Sequence, residues 1–114
     1  MEEKITTNKF TYKGPYGEYT NCSFMTGHYQ NGNIGIEIWS DTEGPITKVT
    51  VNPDIIVSSD CIAIKNYSEN EGMVDWLISM KVIEETPVKI IGSGFVQIPI
   101  HRLTKRGNEL LGIE

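Results

Sequence analysis

Cys22, His28, Cys61 and His101 supply the donor types that zinc prefers, thiolate and imidazole, and are the first constellation to weigh. They are spread over about eighty residues with no knuckle or finger spacing. Free buried thiols and ordinary histidines account for them, so no metal or other cofactor is expected. A nucleophilic triad needs a Ser or Cys beside a His that a carboxylate orients. Ser93 sits in the run Ile91-Gly92-Ser93-Gly94-Phe95, which lacks the spacing of a nucleophile elbow and reads as a hairpin turn. No Lys-Ser or Lys-Thr follows these glycines, which argues against a phosphate-cradling loop.

Carboxylates offer a third chemistry. Glu69, Glu71 and Asp75 cluster where a helix begins, and the positive end of a helix dipole explains them. Ser68 with Glu71 three places on has the pattern of a capping box. The alternative use is an acidic ridge, joined by Glu84 and Glu85, facing arginines or lysines of a partner. Glycosidic chemistry by paired carboxylates would need a substrate cleft, which nothing in the sequence announces. At the other end His101, Arg102, Lys105 and Arg106 form a small basic cluster without interleaved aromatics, and solvated terminal charge suffices to explain it. The residues therefore favour a non-catalytic reading.

The elements that must position these residues are mostly strands. Residues 4–12 are rich in β-branched and aromatic types, Gly14-Pro15-Tyr16-Gly17 breaks them, and 18–29 form a second segment. Asn31-Gly32 predicts a type I′ hairpin turn leading into Ile34, Ile36 and Ile38, which share one face of a strand. Segment 46–51 alternates again, 54–60 is a short extended piece or a loop tucking apolar side chains under the sheet, and 61–66 leads to the helix cap. Met73, Val74, Leu77 and Ile78 make an apolar stripe on a helix over 69–80. Segments 88–91 and 95–100 form a last hairpin, with Pro99 placing its strand at an edge or end. The expected fold is α+β: a twisted antiparallel sheet of about 5–6 strands in meander order with one main α-helix on one face. It occupies residues 1–103 as one domain, and 104–114 read as a tail.

At 114 residues the chain suits one core. Its net charge of −5 disfavours direct nucleic-acid binding, which draws on a Lys/Arg surplus, and permits a partner with a basic surface. Met1-Glu2-Glu3-Lys4 precedes no apolar run, and no stretch approaches a membrane span, so a cytoplasmic protein without membrane contact is expected.

Four runs occur in order: Asn31-Gly32-Asn33-Ile34-Gly35-Ile36; 46–52 ending in Thr50-Val51-Asn52; Lys65-Asn66-Tyr67-Ser68-Glu69-Asn70-Glu71-Gly72-Met73; and Ser93-Gly94-Phe95-Val96-Gln97-Ile98-Pro99-Ile100. Together, over roughly residues 20–103, they resemble a domain-of-unknown-function family of small proteins from conjugative elements, plasmids and phages of gut bacteria. The resemblance brings no catalytic residue with it. It implies a mobile-element setting in which small proteins shield the element from restriction or CRISPR nucleases, hence an anti-defence inhibitor acting by protein–protein contact. The candidate binding surface is Trp39, Tyr67, Glu69, Asn70, Glu71 and Trp76, against the competing expectation that both tryptophans are core. A rival class is a small-ligand binder or small enzyme, with the 31–33 turn and the 67–72 loop lining one pocket. A third is an oligomeric structural accessory, self-associating through a strand edge.

Overall fold

In a computed structural model, residues 4–5 and 9–113 are described. The order is β1 (Lys4–Ile5), β2 (Phe10–Gly14), β3 (Gly17–His28), β4 (Ile34–Ser40), β5 (Gly44–Lys48), β6 (Cys61–Ala63), a 3-10 turn (Ser68–Asn70), α1 (Met73–Ser79), β7 (Lys89–Ser93), β8 (Val96–Arg102) and α2 (Lys105–Leu111). The protein is α+β, but the strands form two antiparallel sheets where one was expected. The first runs β1-β3-β4-β5 with β2 also on β3, and the second runs β6-β8-β7.

Two residues account for the division. Thr50 leaves the β5 ladder and makes an isolated bridge to Ile64, while its hydroxyl accepts the Ile36 N–H at 3.0 Å. Residues 49–51 thus join β4 to the β6 side, with Val49 N donating to Ile36 O at 2.8 Å and Lys65 N to Val49 O at 2.8 Å. Pro99 does the rest. It lies in the central strand of the second sheet and not at an edge. Its carbonyl accepts from Ile64 N at 3.0 Å, so its ring nitrogen faces that same neighbour, and with no N–H to return, the β6–β8 ladder ends at Ala63. The opposite pairing, Ile90 with Pro99, continues undisturbed.

The main core lies between the sheets and the helices. Ile34, Ile36 and Ile38 are buried as their alternation predicted, with Phe24 and Cys22 beside them on β3. Met73 and Leu77 of α1 close over this face, each worth roughly 1.5–3 kcal/mol of burial. A second cluster on the far side of the second sheet holds Val57, Cys61, Ala63, Ile98 and Ile100. Of the 54–60 segment, Val57 tucks under the sheet while Ile55 and Ile56 stay exposed. Cys22 and Cys61 are free, buried and in different clusters.

Three local expectations change. At the 31–33 turn only Gly32 has positive φ, 91°, and Gly32 N donates to Tyr29 O at 2.9 Å, so the hairpin uses a right-handed turn closed by one glycine instead of type I′. The expected 69–80 helix begins at Met73, because Ser68 takes a left-handed φ of 57° and Glu71 an extended ψ of 128°. The expected tail at 104–114 carries α2, whose Leu110 and Leu111 are buried and whose Thr104 side chain accepts from Gly107 N.

Candidate functional site

The six residues predicted as a binding surface do not share one environment. Trp39 lies on the outer face of the first sheet, half-buried, its indole N–H donating to Glu37 Oε2 at 3.2 Å. Trp76 packs among Phe10, Tyr12 and Phe24, with ring centroids 5.5, 4.9 and 6.1 Å away, and belongs to the core margin. Asn70 is fully buried: its amide donates to Lys48 O at 2.5 Å and its oxygen accepts from Thr47 Oγ1 at 2.5 Å. Both halves of that amide serve to fix the 3-10 turn to β5, which explains a buried polar side chain without invoking a ligand.

Glu69 is paired with Lys65 four residues before it, and that hydrogen bond holds its carboxyl below the usual range. Glu71 is exposed. Tyr67 differs from the others, since it stands at the mouth of a groove with the Lys65 ammonium 5.7 Å from its ring centroid.

This groove has a volume of about 590 Å³. One wall is α1, contributing Val74 and Ile78, and the other is the β7–β8 hairpin, contributing Ile90, Val96 and Pro99. Strand alternation builds it. Ile98 and Ile100 point into the second core cluster, so Pro99 and His101 take the opposite face, which α1 covers at the β6 end and leaves open towards β7. Phe95 stands wholly exposed in the hairpin turn above the groove, and Val88 and Ile90 are also exposed.

Polar groups in the groove have fixed roles. Asn66 Oδ1 accepts the Val74 N–H at 2.9 Å, which leaves its Nδ2 as a donor. His101 is buried, and its Nδ1 lies 2.8 Å from Glu84 O. A carbonyl only accepts, so Nδ1 carries the proton and Nε2 is the acceptor of the neutral ring. Asp75 and Glu85 add carboxylates, and no lysine or arginine lines the groove.

The capping box does not form. Helix α1 has Gly72 at its N-cap and no side-chain cap from Ser68, and the distant Asn66 supplies the acceptor instead. Among the described residues no three of His, Cys, Asp and Glu gather to hold a metal. The 31–33 turn and the 67–72 loop do not share a pocket: Asn33 is buried and bound to Asn52, Ile55 and Val57, far from the residues around Tyr67. What sequence reading missed is Ile90, Phe95 and Pro99. The available signal was Phe95 directly after Ser93-Gly94, since a large aromatic at a hairpin turn has no sheet face to bury it.

Helices here are too short or too polar to cross a membrane among the described residues. No protein-family model, curated protein or solved structure matches the chain.

Proposed function

We propose that this chain is a non-catalytic binding protein that meets a protein partner through the face built by α1 and the β7–β8 hairpin. The observation that carries this reading is Phe95, an aromatic ring wholly exposed at the hairpin turn and lining the same open groove as exposed Ile90. Aromatic anchors contribute disproportionately to interfaces, and grouped apolar side chains left in water mark surfaces that another molecule covers. The narrower reading, drawn from the mobile-element resemblance, is an anti-defence protein acting in the cytoplasm on a restriction or CRISPR nuclease. Asp75 and Glu85 at the groove support a basic partner surface.

A second reading has one specific observation in its favour. A groove of 590 Å³ falls in the range of about 300–1,000 Å³ common for small-ligand sites, and it mixes apolar walls with a few placed polar groups. Affinity capture from bacterial lysates with wild type and Ile90→Ser, followed by reconstitution from purified components and a nuclease-protection assay, separates the two. Partner capture that depends on Ile90 supports the protein-binding reading, and a protected nuclease substrate supports the anti-defence one. Identical capture by both forms contradicts binding through this face.

A further inference from the structure

We infer that the groove between α1 and the β7–β8 hairpin takes an extended segment of a partner protein in which an apolar anchor stands next to a lysine or arginine. This rests on the binding face proposed above and adds what that face recognises.

The first support is charge. Asp75 and Glu85 line the groove, no lysine or arginine does, and among the described residues neither carboxylate forms an ion pair. Three cations on neighbouring elements are engaged elsewhere or face away. Lys65 is held by Glu69 while it covers the Tyr67 ring. Lys89, adjacent to Ile90 in β7, pairs with Ile100 and so projects to the opposite face of the sheet. Arg102 is taken by Asp60 at 3.1 Å, with Glu84 at 3.9 Å. A cation brought in by a partner therefore meets carboxylates that nothing in the described structure has neutralised, and an acidic segment would meet repulsion.

The second support is the pairing of polar roles with an apolar floor. Ile90 lies directly opposite Pro99, giving an apolar strip that an aliphatic or aromatic anchor covers. Asn66, whose oxygen accepts from Val74, offers its Nδ2 as a donor, while His101, whose Nδ1 bonds Glu84, offers Nε2 as an acceptor in the neutral ring. One fixed donor and one fixed acceptor match the C=O and N–H of an extended backbone, which gives affinity independent of side chains while the carboxylates select the cation.

The test selects short random displayed peptides on the immobilised full chain, with the Asp75→Lys/Glu85→Lys double variant as counter-target. Both positions are exposed and carry no described ion pair, so the variant is expected to fold, which circular dichroism checks. Peptides carrying Leu, Ile, Met or an aromatic next to Lys or Arg should be enriched. Their affinity should fall at least about tenfold on the double variant, and fall again as salt rises from about 0.05 M to about 0.5 M. Enrichment of acidic or purely apolar peptides, or affinity unchanged by the charge reversal, overturns the inference. So does a stable dimer at micromolar concentration that buries this groove. If charge reversal changes nothing but Ile90→Ser still abolishes partner capture, the inference alone fails; if Ile90→Ser has no effect either, the binding face itself is wrong.

Discussion

The side-chain oxygen of Asn66 accepts the backbone N–H of Val74 at 2.9 Å across eight positions of sequence. One contact thereby caps the first turn of α1 and orients the Asn66 amide in the groove. Replacing a cap of this kind costs about 1 kcal/mol. Asn66→Ala should lower stability by that amount in denaturant unfolding, Asn66→Asp should retain the acceptor, and Ser68→Ala should stay within about 0.5 kcal/mol. A larger loss at Ser68 than at Asn66 would restore the capping box.

The far end of α1 offers a stabilising substitution. Val82 N donates to Leu77 O at 3.0 Å and Lys81 N to Ile78 O at 2.9 Å, the two bonds of a Schellman ending, with Lys81 at φ 61° where glycine is favoured. Lys81→Gly should stabilise the protein by about 0.5–1 kcal/mol, raising the thermal midpoint by a few degrees. A lower midpoint would mean that the lysine side chain contributes more than its backbone strain costs.

The last helix is tied down at Gly107, where an added Cβ would lie 2.1 Å from the Val82 carbonyl oxygen. Backbone on both sides leaves no flexible atom to yield. Gly107→Ala should cost about 3 kcal/mol or more, seen as a large drop in the denaturant midpoint or loss of soluble protein, while Asn108→Ala should be mild.

Burial, with Asp60 beside it, pushes the Cys61 thiol up to about 11, and burial also raises Cys22. The sign follows from the raised folded value. Below the ordinary thiol range both states are neutral and the stabilisation is fully present; above it the unfolded thiol ionises first, and stability is lost as pH climbs towards about 11. Cys61→Ala should flatten this alkaline decline in unfolding midpoints, and a thiol reagent at neutral pH should react with the native protein far more slowly than with the unfolded chain. On the acid side, Asp60 is held low by Arg102 and Glu69 by Lys65, so any contribution from these exposed pairs disappears as pH falls through the carboxylate range.

Several elements were legible in the sequence because one local rule determined each. The Ile34, Ile36 and Ile38 alternation gave β4, and the 73–78 stripe gave the face of α1. Apart from the 31–33 turn, the failures share a cause: each depended on a residue outside its own element. Thr50 and Pro99 divide the sheet through their partners Ile36 and Ile64, the helix cap comes from Asn66, and α2 is helical because Leu110 and Leu111 find the core. The candidate site suffered more. Asn70 and Trp76 look like recognition residues until Thr47, Lys48 and the Phe10–Tyr12–Phe24 cluster occupy them. Only Tyr67, together with Asp75 and Glu85 from the acidic ridge considered at the outset, reaches the groove.

The most direct test of the binding face is Phe95→Ser, measured for both stability and partner capture. Because the ring is wholly exposed, its loss removes no packing. The account predicts a thermal midpoint within about 2 °C of wild type together with capture reduced at least about tenfold. Undiminished capture by a folded Phe95→Ser protein would contradict it.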